Sequence, residues 1–583
     1  MTLGREMKLN SRTKFGVVVA ASALLLSACG GGGSSAGGTG TPTKGGTITY
    51  LTIAEQFNHV DPQRNYTGQD LAFFGGYVNR TLTSYAHAEG PAGAELVADM
   101  ATDTGTTTDG GKTWSFTLRD GLTWEDGSEV TCQDVAYGVS RVFATDIIVD
   151  GPTYAISYLD IPAGDEGSNY PGPYKATAEQ QALYDNAVSC ADKTITFKLN
   201  KVVADFNYTV TLLAFAPVPK AKDTGEKYDD AVVSNGPYKI ESYVKAQSMT
   251  LVRNENWNPD SDPIRKAYPD KVVVNFAQDQ AVIDSRLIAS AGDDAFAVSM
   301  DGIQPENLPT VFGDDQFKDR RVNETDPYAI YTAINVKKVN CLPVRKALFL
   351  ALDREALRAV AGGEYVGDFA DGFISPTLAL DYAPNTLPEG VQPAGNPDAA
   401  KALMEEAKTA CPDVYAKATG EGLVFDHPDT PTWAKNVAVW IESEKAAGIV
   451  IKSNPIEPGK YYSVVMDPAL QGDISRSGWA ADWLNASTVM PELFGEGGFN
   501  ISQNQEDAAF PAYKALMDEA LAQTDRAAQA ELWKKANQYA LDQVWAIPSW
   551  FGRSQEFRGS KIGGGYLWYP FGSHDFASLY VIQ

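Results

Sequence analysis

The chain has 583 residues, of which 44% are hydrophobic, 11% aromatic and 21% charged, a balance that suits a folded soluble protein and excludes a disordered, collagenous or disulfide-packed one. Its net charge of −26, from 48 basic and 74 acidic residues, argues against nucleic acid or anionic lipid as the main partner, because both reward clustered Lys and Arg. At about 150 residues per domain, the length predicts three or four domains, or two large lobes.

Arg5, Lys8, Arg12 and Lys14 precede the apolar run Phe15 to Leu26. That run is too short to cross a bilayer core, which needs about 20 residues, and reads as an export signal. It ends in Leu26-Ser27-Ala28-Cys29, which resembles the bacterial lipobox. Simple secretion needs no Cys at that place, so the expectation is removal of residues 1–28 and acylation of Cys29, with acyl chains holding the protein at the membrane. Residues 29–43 carry nothing large enough to build a core and are expected to be a flexible tether. No later stretch is long and apolar enough to span a membrane.

Beyond the tether, Lys44 to Ile53 alternates and is rich in β-branched residues, which predicts a strand. Lys112 to Leu118 repeats the pattern after the turn signal Asp109-Gly110-Gly111, and Asp120-Gly121 and Asp126-Gly127 mark further turns of a short meander. After Cys132 the period becomes helical, with Val135, Val139 and Val142 on one face. Asp192 to Leu199 and Thr250 to Val252 read as strands. Pro343 opens a helix that carries Val344, Ala347, Leu348, Ala351 and Leu352. Further helices are predicted over 399–410, 433–447, 512–523 and 526–541. Strands and helices mixed at irregular spacing indicate an α/β (mixed α+β) chain.

Motifs for catalysis fail on context. Gly33-Ser34-Ser35-Ala36-Gly37 fits G-x-S-x-G but lies in the tether, with no strand before it. Gly111-Lys112-Thr113 looks like the end of a phosphate-binding loop, yet a strand follows where that loop needs a helix. No H-E-x-x-H occurs. The only histidines are His59, His87, His427 and His574, and no two cysteines have C-x-x-C spacing, so neither metal nor cofactor is expected. Apart from Cys29 the cysteines are Cys132, Cys190, Cys341 and Cys411, an even number that in an exported protein suggests two disulfides, with three pairings open.

Four blocks, in order along the mature chain, resemble the family 5 extracellular solute-binding proteins, the peptide-binding receptors of ABC importers. The first runs from Asp109-Gly110-Gly111-Lys112-Thr113-Trp114 to Trp124-Glu125-Asp126-Gly127 and on through Thr131-Cys132-Gln133-Asp134-Val135. The second is Asn235-Gly236-Pro237-Tyr238-Lys239-Ile240 with Leu251-Val252-Arg253-Asn254 and Trp257. The third is Asn335-Val336-Lys337-Lys338 with Val344-Arg345-Lys346-Ala347-Leu348 and Ala351-Leu352-Asp353-Arg354-Glu355. The fourth is Gly478-Trp479-Ala480-Ala481-Asp482-Trp483. Two places depart from the pattern: Ser234 stands before Asn235-Gly236 where Gly-Thr-Gly is common, and Asn485 follows Leu484 where Asp-Pro is frequent. Both concern turns.

The resemblance implies a two-lobed periplasmic-binding-protein-like fold of the large three-domain type. Domain I would comprise residues 44–88, 231–330 and 546–583, domain II residues 89–230, and domain III residues 331–545. Cys132–Cys190 and Cys341–Cys411 are the expected pairs, because each closes a loop inside one domain. The implied function is capture of di- to oligopeptides in an interlobe cleft and delivery to membrane permease subunits driven by cytoplasmic ATPases, by a monomer that performs no reaction. Asp482 would meet the ligand's ammonium and Arg476 its carboxylate, with Trp479, Trp483 and Phe57 as walls and the backbone of 473–483 as an edge strand. Alternatives are the same fold carrying chelated nickel, haem, sugar or opine, an exported hydrolase, or a signalling lipoprotein.

Overall fold

Alternation buries one face of each early strand. In Thr47–Leu51 the inward residues are Ile48 and Tyr50, and in Thr113–Thr117 they are Trp114 and Phe116. Asp109 fixes the turn before the latter: its Oδ1 accepts from the backbone nitrogens of Lys112 (3.0 Å) and Thr113 (2.8 Å), and Gly110 and Gly111 supply φ values of 76° and 107° that L side chains avoid. The computed structural model describes residues 41–164, 167–457, 460–496 and 499–583, so the export signal, Cys29 and most of the expected tether lie outside the described residues.

Three sheets organise the chain. A five-stranded sheet has the order Tyr238–Val244, Ser248–Arg253, Lys271–Asn275, Thr47–Leu51 and Ala297–Ser299, with Thr47–Leu51 parallel to both neighbours. A four-stranded antiparallel sheet joins Thr106–Thr107, Thr113–Thr117, Thr194–Lys198 and Val188–Ala191, in register Trp114↔Phe197 and Phe116↔Ile195. One core spans these two sheets, built on residues such as Tyr50, Phe73, Trp114, Phe197 and Phe206. The third sheet has six strands, in the order Gly367–Phe369, Ala546–Phe557, Arg321–Ile334, Ile474–Ala480, Leu423–Pro428 and Ile451–Ile456. A second core lies under it, with Leu348, Phe425, Trp440, Trp533 and Trp545. The result is a mixed α/β, two-lobed fold.

Several helices start where a side chain caps them. Thr131 and Asp134 form a reciprocal capping box at Cys132–Arg141, whose Val135 and Val139 are fully buried. Asn396 caps Pro397–Ala410, Thr430 caps Pro431–Ala446 and Asp525 caps Arg526–Asp542, each through a bond to the third residue of its helix. Disulfides join Cys132 to Cys190 and Cys341 to Cys411, with Cα atoms 5.9 and 6.0 Å apart.

The two longest strands link the lobes. Arg321–Ile334 and Ala546–Phe557 run antiparallel from Arg321↔Phe557 to Ala333↔Ala546, and Arg558, just beyond, bridges to Val298 of the five-stranded sheet. Ala546–Phe557 thus lies in the same sheet as the strands of 331–545.

Candidate functional site

The strand Ile474–Ala480 carries the site. One edge pairs with Arg321–Ile334 along its whole length, from Ile334↔Ile474 to Tyr328↔Ala480. The other edge meets Leu423–Pro428 only at Ile474 and Ser475. Beyond Ser475 that outer edge has no strand partner among the described residues, and Gly478, Trp479 and Ala480 there border an interlobe cavity of about 300 Å³. Tyr66, Thr67, Gly68 and Phe571 line the cavity from the first lobe; Tyr328, Tyr462 and Asp482 line it from the second.

Asp482 follows two residues after the strand and lines the cavity. It is partly buried, and its Oδ2 accepts hydrogen bonds from the hydroxyl of Tyr66 at 2.9 Å and from that of Tyr154. Its backbone nitrogen donates to Thr488 Oγ1 at 3.1 Å. Burial pushes its carboxyl up to about 7, the two tyrosine hydrogen bonds pull the other way, and the charge of Glu492 adds to the rise. Both tyrosine hydroxyls are held well above their usual range, chiefly by burial and then by the Asp482 charge. A half-desolvated carboxylate of this kind is poised for a cation, which would relieve the cost of keeping it charged.

Trp479 lines the cavity, its ring 5.0 Å from Phe499 and its indole N–H bonded to the Thr488 carbonyl at 2.7 Å. Trp483 does not line it. Its ring is buried in the core of the opposite lobe, 4.8 Å from Tyr154, and its Nε1 donates to Asp205 Oδ2 at 2.7 Å. Asn485 and Ser487 reach the same oxygen at 2.8 and 3.2 Å, so the segment after Asp482 bolts one lobe to the other. Arg476 stands outside the cavity lining: its guanidinium lies 5.0 Å over Trp433, and its Nη1 donates to the hydroxyl of Tyr462 at 3.0 Å. Phe57 is a correction. It packs against Phe73, Phe74 and Phe276 at 4.8, 4.8 and 5.4 Å in the first core and walls no cleft, because a ring flanked by three others is worth more buried than exposed.

The partners that sequence reasoning missed are Tyr66, Tyr154 and Asp205. Tyr66 and Tyr154 lie 416 and 328 residues from Asp482 along the chain, and no local pattern marks them. Among the described residues, no cluster of three or more His, Cys, Asp or Glu is arranged to hold a metal, and no helix is long and apolar enough to cross a membrane.

The model of the bacterial extracellular solute-binding proteins, family 5 Middle, matches residues 95–500. The chain is 24% identical over 502 residues to the oligopeptide-binding protein OppA of Bacillus subtilis, covering 82% of this chain and 83% of that one. It is 28% identical over 455 residues to the periplasmic oligopeptide-binding protein OppA of Escherichia coli, covering 75% and 76%. Among solved structures, the clavulanic acid biosynthesis oligopeptide binding protein 2 superposes with a TM-score of 0.83 at 28% identity, over 93% of this chain and 97% of that one. The chain therefore belongs to the family 5 bacterial extracellular solute-binding proteins, and is a binding protein rather than an enzyme.

Proposed function

We propose that this protein captures peptides outside the cytoplasm and hands them to the permease of an ABC importer. The observation that carries the reading is the strand edge at Gly478–Ala480, without a strand partner among the described residues, followed by the Asp482 carboxylate in the same cavity lining. An extended peptide laid on that edge would pair through its amides whatever its side chains, and its α-ammonium would meet Asp482. A charge-assisted contact of that kind is worth about 1.5–3 kcal/mol. The names of the relatives, which are oligopeptide-binding proteins, support the same cargo. Cys29, after the Leu26-Ser27-Ala28 segment, would carry the lipid anchor that keeps the protein beside its permease. Arg321–Ile334 and Ala546–Phe557 would form the hinge of the three-domain arrangement set out above, with the lobes closing over ligand.

Mass spectrometry of ligand retained by the purified protein, before and after denaturation, tests the cargo. Release of a ladder of short peptides supports the proposal; release of a single non-peptide species, such as a metal chelate or a sugar, overturns it.

A further inference from the structure

A second cavity, of about 280 Å³, adjoins the first. Gly68 and Phe571 face the first cavity, while their neighbours Gln69 and Gly572 face the second. The two chain segments touch between the cavities: a Cβ on Gly68 would lie 2.6 Å from the Phe571 carbonyl oxygen. The second cavity therefore begins one residue further along both segments, about 3.8 Å of chain.

Its chemistry differs from that of the first. Glu556 lines it and is only 4% exposed, and neither of its carboxyl oxygens has a hydrogen-bond partner among the described residues. Its Oε2 lies 2.8 Å from His574 Nδ1, whereas His574 Nε2 faces the Ser299 carbonyl at 3.0 Å. Asp301 adds a second carboxylate, one oxygen of which accepts from the Ile53 nitrogen at 2.9 Å. Arg553 also lines the cavity; its Nη2 donates to the exposed Asp368 at 2.8 Å, and its Nε has no hydrogen-bond partner among the described residues. The cavity thus holds two carboxyl groups, and the buried one, Glu556, has both acceptor oxygens unused among the described residues although the Arg558 guanidinium acts on it through charge; a cation or strong donor entering the cavity would satisfy them.

We propose that this cavity is a subsite for a cationic side chain, guanidinium or ammonium, of the captured peptide, with Asp301 and Glu556 as its acceptors. The proposal rests on the peptide reading of the first cavity. Sequence position alone hides it, because Asp301, Glu556 and His574 come from distant segments and none lies in a family-like block.

The test is calorimetric titration of the mature, full-length protein with tetra-alanine and with tetrapeptides carrying Arg at each position in turn. Each Arg peptide is compared with its citrulline counterpart, which keeps the shape and loses the charge. At one position Arg is expected to bind about tenfold tighter than citrulline. Glu556→Gln and Asp301→Asn should each shrink that gap to about threefold or less, with tetra-alanine affinity changed by less than about twofold. Gly302→Leu supplies an independent variant that leaves every charge in place: a Cβ there meets only Gln555 Oε1, at 3.6 Å, so a larger side chain projects into the cavity and should abolish the gap. No Arg–citrulline gap at any position, or a gap that survives all three variants, overturns the subsite while tetra-alanine binding leaves the peptide reading standing. Failure of every peptide, tetra-alanine included, overturns both.

Discussion

Asp482 holds its carboxyl up to about 7 because burial outweighs the tyrosine hydrogen bonds. Peptide capture through its carboxylate then requires loss of a proton below that value. Affinity for a free-amine peptide is expected to fall by up to about tenfold per unit as pH drops from 7 to 5, and to level off above 7 until the peptide amine itself deprotonates near 8. Titration calorimetry across that range checks this; a flat profile contradicts it. Glu444, on Pro431–Ala446, is a different case. It is fully buried, neither of its oxygens has a hydrogen-bond partner among the described residues, and burial alone drives its carboxyl well above 4.5. The folded state therefore binds the proton more tightly than the unfolded state, and its stability declines as pH rises from 4.5 towards the folded value. Glu444→Gln should raise the thermal midpoint at pH 8 more than at pH 5, by about 2–4 °C for each kcal/mol recovered. Equal shifts at the two pH values would show that Glu444 does not titrate this way.

At the scale of elements, the linking strands depend on small residues at close approaches. Asp326 lies against Gly552, where a Cβ would come within 2.5 Å of its carboxylate, and Asp326 also accepts from the Tyr328 nitrogen at 2.8 Å and the Ser554 hydroxyl at 3.2 Å. Gly552→Ala is expected to cost about 1–3 kcal/mol, read as a lower urea midpoint at unchanged slope, and an unchanged midpoint would mean that the strands shift freely. These strands also mark the limit of what the chain reveals locally. Lys112–Leu118 was legible because alternation there coincides with burial of Trp114 and Phe116. Arg321–Ile334 was not, because Asp326-Pro327 reads as a turn; the structure absorbs it as a shift of register between Thr325 and Ala329. Asp482 stands in a block visible in the sequence and the structure puts it in the cavity lining, whereas Tyr66 and Tyr154, which hydrogen-bond its carboxylate, meet it only through the tertiary fold.

For the whole molecule, the contact that counts is the one between lobes. Asp205 of the first lobe accepts from Trp483, Asn485 and Ser487 of the second, outside the interlobe cavity lining. Asp205→Ala should weaken the closed arrangement and speed ligand release by about tenfold or more, with association little changed, in stopped-flow displacement. An unchanged release rate would remove Asp205 from the closing mechanism. The measurement that bears most directly on peptide capture is calorimetry of the parent and Asp482→Ala proteins with one tripeptide in free-amine and N-acetylated forms. Acetylation is expected to weaken binding to the parent by about 2 kcal/mol or more, roughly thirtyfold, and to make no difference to Asp482→Ala. Equal binding of both forms to the parent would contradict an ammonium-gripping Asp482.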